Sequence, residues 1–204
     1  MTGGIHVQLK NILSLLLLST FGFSYLLKLF ILSKRNNIHA DVLGKANKDA
    51  KIRAAEGFVR LATFSWLLVW FLEIFFEKTP EKFDALWQHN AYTEYAGLFV
   101  TTLGVLVFIT AMVHMKTSWR VGIDKQTNTY GIYRFSRNPA FVGFDLMFVG
   151  LFITYTCILT LVVMFANILA FHLLILHEER HLTLTFKEKY IDYKLKTPRY
   201  FLFF

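Results

Sequence analysis

The sequence predicts an all-α, polytopic membrane helix bundle of about five transmembrane helices, ending in an amphipathic cytoplasmic tail. Three observations predict it. Of 204 residues, 55% are apolar and 17% aromatic against 18% charged, more apolar surface than a water-facing domain of this size keeps. Four stretches reach the roughly 20 apolar residues that a hydrocarbon core of about 30 Å demands. Finally, of the 22 lysines and arginines, all but Lys10, Lys28, Lys78 and Lys82 fall on one side of the bundle those stretches define. The length fits a single unit, residues 1–204, without a second soluble domain.

The first span covers about residues 9–32. It is long and lacks a small-residue cleavage site, so an uncleaved anchor is expected there and not a signal peptide. Further spans follow at about 57–76 and 95–115. The apolar run 140–176 is too long for one crossing. Polar Thr154, Tyr155 and Thr156 near its middle divide it into 140–154 and 157–176, joined by a very short turn. Beyond it, Leu182, Leu184, Phe186, Tyr190 and Ile191 interleave with charges. The last helix is therefore expected to continue past the membrane, with the tail lying on the membrane surface or folded over the bundle.

Five spans put loop 33–56, loop 116–139 and tail 177–204 on one face, which the positive-inside rule makes cytoplasmic, with the N-terminus outside. Four spans would separate the tail from loop 116–139 and lose this agreement. The formal charge of +8 accordingly reads as topology and contact with anionic headgroups. No nucleic-acid motif accompanies it. The lone Cys157 excludes an internal disulfide and a cysteine-rich metal site.

Two polar segments interrupt the apolar pattern on the cytoplasmic face. One holds Trp119 and Arg120, then Gly131-Ile132-Tyr133-Arg134 and Arg137-Asn138-Pro139-Ala140-Phe141-Val142-Gly143. The other holds His177-Glu178-Glu179-Arg180-His181, then Phe186, Tyr190-Ile191-Asp192-Tyr193 and Pro198-Arg199. Together, across about 116–199, they resemble the signature of the isoprenylcysteine carboxyl methyltransferases and the related phospholipid N-methyltransferases. The resemblance implies methyl transfer from S-adenosyl-L-methionine to a lipophilic small molecule or lipidated substrate within membrane lipid. It also implies that Tyr133, Asn138, Pro139 and Phe141 surround the cofactor, with Glu178 or Glu179 on its amino group.

The chemistry of the remaining side chains fits that donor. A carboxylate can hold an ammonium, and the Arg137 guanidinium can grip a carboxylate bidentately. Trp119, Tyr133 and Phe141 offer faces to a sulfonium or an adenine, and Arg120 is a further cofactor candidate. Two departures from the pattern matter. Asn138 replaces the usual histidine, keeping a donor but losing a titratable group. Leu174 stands where an arginine for a prenylcysteine carboxylate is expected. Within the spans, Asp145, Asn167 and His172 are candidates for the substrate pocket, because polar groups in lipid face the bundle interior. Helix–helix hydrogen bonding is the equal alternative for Asn167 and His172. Glu73 is expected to reach interfacial water.

Three other readings stand beside methyl transfer. His177-Glu178-x-x-His181 matches the zinc-protease string, without an obvious third ligand. A nicotinamide-dependent membrane reductase has a similar fold, and a structural bundle would bind no cofactor at all.

Overall fold

The computed structural model describes residues 2–38, 49–76, 90–119 and 129–201, and side chains from Leu9 onward. Six α-helices appear among the described residues: α1 Thr2–Asn36, α2 Ala50–Phe76, α3 Ala91–His114, α4 Pro139–Tyr155, α5 Ile158–Phe186 and α6 Glu188–Lys196. Two 3₁₀ turns, Lys116–Ser118 and Gly131–Arg134, lie between α3 and α4. Helices α1, α2, α3 and α5 are each long and apolar enough to cross a bilayer, and the protein is an integral membrane protein. Apolar α4 has 17 residues, about 25 Å of helix, at the lower limit for a crossing.

Local chemistry fixes the ends. Asn90 caps α3, its side chain accepting from Thr93 N at 2.9 Å while Asn90 N donates to Thr93 Oγ1 at 3.4 Å. Pro139 opens α4 at a position where its missing N–H costs nothing. The expected break in the long apolar run falls at Thr156 and Cys157. Thr156 takes a left-handed φ of 38°, rare for a β-branched residue, and its N–H still closes on Phe152 O at 2.7 Å. Cys157 then caps α5 in extended conformation. The helices outrun the expected spans: α2 begins at Ala50 and α5 runs to Phe186, since backbone hydrogen bonding continues into the headgroup zone.

The tightest seam joins α3 to α4 through glycines. A Cβ on Gly104 would sit 2.7 Å from Gly143 O, and one on Gly150 would sit 2.6 Å from Thr101 N and 2.8 Å from Gly97 O. Only hydrogen fits, which is the small-residue logic of helix pairs in lipid. Thr101 and Thr154 on this seam return their hydroxyls to Gly97 O (3.0 Å) and Gly150 O (2.8 Å) of their own helices. Around the seam an aromatic core closes α1, α2 and α5 onto α4. Phe21, Trp66 and Phe108 meet Phe144, and Trp66 meets Phe148 with centroids 4.9 Å apart. Asn167 staples α5 to α2, donating to Ala62 O at 2.9 Å and to Val163 O at 2.7 Å.

The two ends of the bundle differ in chemistry. At the end carrying the α4–α5 turn, buried Lys10 pairs with Glu94 at 3.2 Å and lies over the Tyr155 ring. Glu73 does not reach interfacial water. It is buried, and Cys157 Sγ donates to its Oε1 at 3.2 Å, because the turn folds back over α2. The opposite end gathers the signature segments.

Candidate active site

At that opposite end, the turn Gly131–Arg134 packs on the last turn of α3. Gly131 has φ +62°, a conformation that favours glycine, and the His114 ring packs over it, 2.7 Å at Cγ from where a Cβ would sit. Tyr133 is buried, and its carbonyl accepts from Tyr193 OH at 2.6 Å. The next three residues run beside the C-terminal tail. Arg137 N donates to Pro198 O at 2.9 Å, while Ser136 Oγ and Asn138 Nδ2 both donate to Arg199 O, at 3.0 and 3.2 Å. Stretches some 60 residues apart are thus zipped together by backbone carbonyls.

Glu179 is the hub of this end. Arg137 reaches its Oε1 through Nε at 3.2 Å and Nη2 at 3.1 Å. Arg199 reaches the same oxygen through Nε at 3.1 Å and Oε2 through Nη2 at 3.0 Å. Lys194 stands 3.8 Å from Oε2, and Asn138 Nδ2 is 3.5 Å from Oε1. Arg137 also donates from Nη1 to Lys194 O at 2.9 Å and to Thr197 O. A single buried carboxylate therefore ties the tail to the start of α4, and three cations around one anion leave a positive excess on the rim. The Glu179 hydrogen bond raises the Arg199 pKa.

Three tyrosines wall the same end. Burial pushes the Tyr133 phenol up, with the Glu178 charge adding, and the Tyr190 phenol up, with Glu179 and then Glu178 adding. Burial also pushes Tyr193 up, with Arg137 opposing. Glu178 is half-buried, and its charge acts on Tyr133 and Tyr190, whereas Glu179 turns into the latch.

The other sequence candidates fall as follows. Trp119 is buried at the end of α3, edge-on to Phe108 at 5.6 Å. Arg120 lies outside the described residues. Phe141 packs edge-on to Phe171 at 5.2 Å, between α4 and α5. Asp145 sits on α4 with Oδ1 sealed and without a hydrogen-bond partner. His172 Nδ1 shares a 2.7 Å hydrogen bond with Tyr200 OH. Asn167 gives its Nδ2 to α2 and to its own helix, with Oδ1 buried and lacking a hydrogen-bond partner. Leu174 is buried in the core. Among the described residues no three His, Cys, Asp or Glu side chains gather as a metal would need, so His177 and His181 acquire no third ligand there. Sequence reasoning assigned no role to Lys194, Arg199 or Tyr200, whose partners lie far away in the chain.

The signature residues of this integral membrane protein thus converge on one charged, aromatic end of the bundle. Residues 92–189, just under half of the chain, match the phospholipid methyltransferase family. Methyl transfer to membrane lipid-like substrates is the activity that the family implies. The match spans α3, α4, α5 and the start of α6 and ends short of Arg199. A search of curated proteins finds no match.

Proposed function

We propose that this protein transfers a methyl group from S-adenosyl-L-methionine to a lipophilic acceptor that enters from the bilayer. The observation carrying this reading is convergence. The two halves of the signature, 42 residues apart at Arg137 and Glu179, meet in one polar cluster inside the segment that matches the family.

The residues present fit the donor. Glu179 is saturated by its cations, so its half-buried neighbour Glu178, whose charge acts on Tyr133 and Tyr190, is assigned to the donor's ammonium. Arg137 is likewise consumed by the latch. The donor's carboxylate falls instead to the positive rim at Lys194, whose side chain is 37% exposed and stands 3.8 Å from Glu179. Tyr133, Tyr193 and Phe141 supply the aromatic faces, with Asn138 and Pro139 shaping the start of α4. When bound, S-adenosyl-L-methionine supplies a methyl carbon made electrophilic by its sulfonium. The chain orients the reactants and excludes water, which provides most of what an in-line displacement needs.

In this reading all five apolar helices cross the bilayer, with the latch end cytoplasmic and the N-terminus outside. The water-soluble donor then arrives from the cytoplasm and the acceptor slides in between helices. Buried Leu174 offers no guanidinium, which weighs against a prenylcysteine acceptor. Titration calorimetry of detergent-purified protein with S-adenosyl-L-methionine and S-adenosylhomocysteine, with zinc quantified on the same sample, tests the proposal. Saturable binding of both without stoichiometric zinc is expected. No binding together with one zinc per chain would overturn it in favour of His177 and His181.

A further inference from the structure

We propose that the outer flank of α6, together with Phe135, is a docking surface for the bilayer itself, and that anionic headgroups help to hold the tail closed over this end of the bundle.

The depth of the tail follows from its contacts. Glu179 lies about 32 Å along α5 from Ile158, the first residue of that helix, close to the hydrocarbon thickness of about 30 Å. Phe186, where α5 ends, stands about 10 Å further out. The chain then turns at Lys187, with φ 48°, and comes back. Arg199 donates to Glu179 at 3.1 and 3.0 Å, and Tyr200 meets His172 at 2.7 Å. Helix α6 therefore descends toward the level where hydrocarbon meets headgroups. Its last turn, held by Arg137 at the carbonyls of Lys194 and Thr197, reaches that level.

Only part of α6 is spent on the bundle. Tyr190 is buried, and Tyr193 and Lys194 are half-buried. Ile191 and Leu195, one turn apart on the adjoining stripe, are 44% and 74% exposed. Glu188, Lys189, Asp192 and Lys196 are exposed around the remaining face. A helix whose apolar side overhangs its protein support, with charges beyond, is built to lie in an interface. Phe135 adds to the overhang. It is 65% exposed and stands two residues before Arg137, whose backbone and side chain grip the tail. The two parts of this surface thus belong to the two segments that the latch joins, and they share one footing only while the tail is docked.

The charges favour lipid over a protein partner. Lys187, Lys189, Lys194, Lys196 and Arg199 outnumber Glu188 and Asp192 in this stretch. Lys187 precedes Ile191 by four residues and Leu195 by eight, which puts a cation on the apolar stripe. With the latch end cytoplasmic, as proposed above, the adjoining leaflet is the one that carries anionic lipid. Ile191, Leu195 and Phe135 enter the acyl boundary, and the lysines extend to headgroup phosphates.

The test uses the full-length chain in nanodiscs of phosphatidylcholine, alone or with an equal part of phosphatidylserine. An environment-sensitive fluorophore is attached through Leu195→Cys, Phe135→Cys or, on the water-facing side, Asp192→Cys, while Cys157 stays buried. Doxyl-labelled phosphatidylcholine should quench the fluorophore at 195 and 135 and spare it at 192. Each lysine near an anionic surface contributes about fivefold, so phosphatidylserine should slow tryptic cutting after Lys194 and Lys196 about tenfold, and salt should reverse the slowing. Lys187→Gln should lose about fivefold of that effect, with cutting in phosphatidylcholine alone unchanged. Quenching at 195 no stronger than at 192 would overturn the inference. A fluorophore at 195 that is dry yet unquenched would overturn it too, because protein and not lipid then covers the flank. Cutting rates within twofold of each other in the two lipids would refute the role of anionic headgroups.

Discussion

Replacing Glu179 with leucine removes the hub of the latch while keeping a side chain of similar volume. Its carboxylate and the Arg137 guanidinium are 4% and 3% exposed, so this is a buried pair. Breaking such a pair from one side costs about 3–5 kcal/mol, because the other charge stays buried. The lower figure applies here, since Arg137 keeps the carbonyls of Lys194 and Thr197. Lys194, 37% exposed, adds little on the surface scale, and the part-exposed Arg199 is discounted for the same reason. About 3 kcal/mol of tail docking corresponds to about a hundredfold larger open population. Trypsin cutting after Lys194 and Lys196 reads that population, and cleavage of Glu179→Leu should accelerate by about two orders of magnitude. Cys157, buried at the far end of the bundle, serves as the control, its maleimide reactivity at 25 °C staying low if only the tail has opened. Tail cleavage within threefold of wild type would refute the idea that one carboxylate holds the tail down.

Three further outcomes are expected. Gly150→Ala puts a Cβ 2.6 Å from Thr101 N and 2.8 Å from Gly97 O, and backbone cannot swing aside. The helices must part, at a cost of about 1–3 kcal/mol, and Cys157 should become maleimide-reactive at a lower temperature; an unchanged midpoint would contradict the seam. Glu178→Gln should abolish most S-adenosylhomocysteine binding by calorimetry while tail proteolysis stays at the wild-type rate, and undiminished affinity would remove Glu178 from the donor site. At alkaline pH the tail tyrosines should unlatch it. Tyr200 is raised to about 12 from the ordinary value near 10, so its contribution is intact below about pH 10 and disappears as pH climbs through about 12. Absorbance at 295 nm and tryptic release followed over that interval check this, and phenol titration centred near 10 for every tyrosine would contradict it.

Much of the fold was legible because lipid makes one demand at a time. Apolar runs of sufficient length declare helices, and the polar break at Thr154–Thr156 declared the hairpin. The placement of basic residues put the segment before α4 and the tail on one face, and hydrogen bonds join the two. What sequence could not supply was the choice between neighbours. Glu178 and Glu179 are adjacent and chemically alike, and only position around α5 decides that Glu179 is the one buried in the latch. Arg137 read as a cofactor ligand because its partners are a carboxylate 42 residues away and two backbone carbonyls in the tail, and backbone carbonyls leave no mark in composition. Glu73 was assigned to interfacial water for a related reason. Nothing local to α2 reveals that the α4–α5 turn folds back to bring Cys157 within 3.2 Å.

The latch reaches further along α5 than its carboxylate. Arg199 holds Glu179, and the next residue, Tyr200, hydrogen-bonds His172 two turns earlier on the same helix. One docked tail is thus pinned to α5 at two points, so releasing the Glu179 end should loosen the His172 end with it.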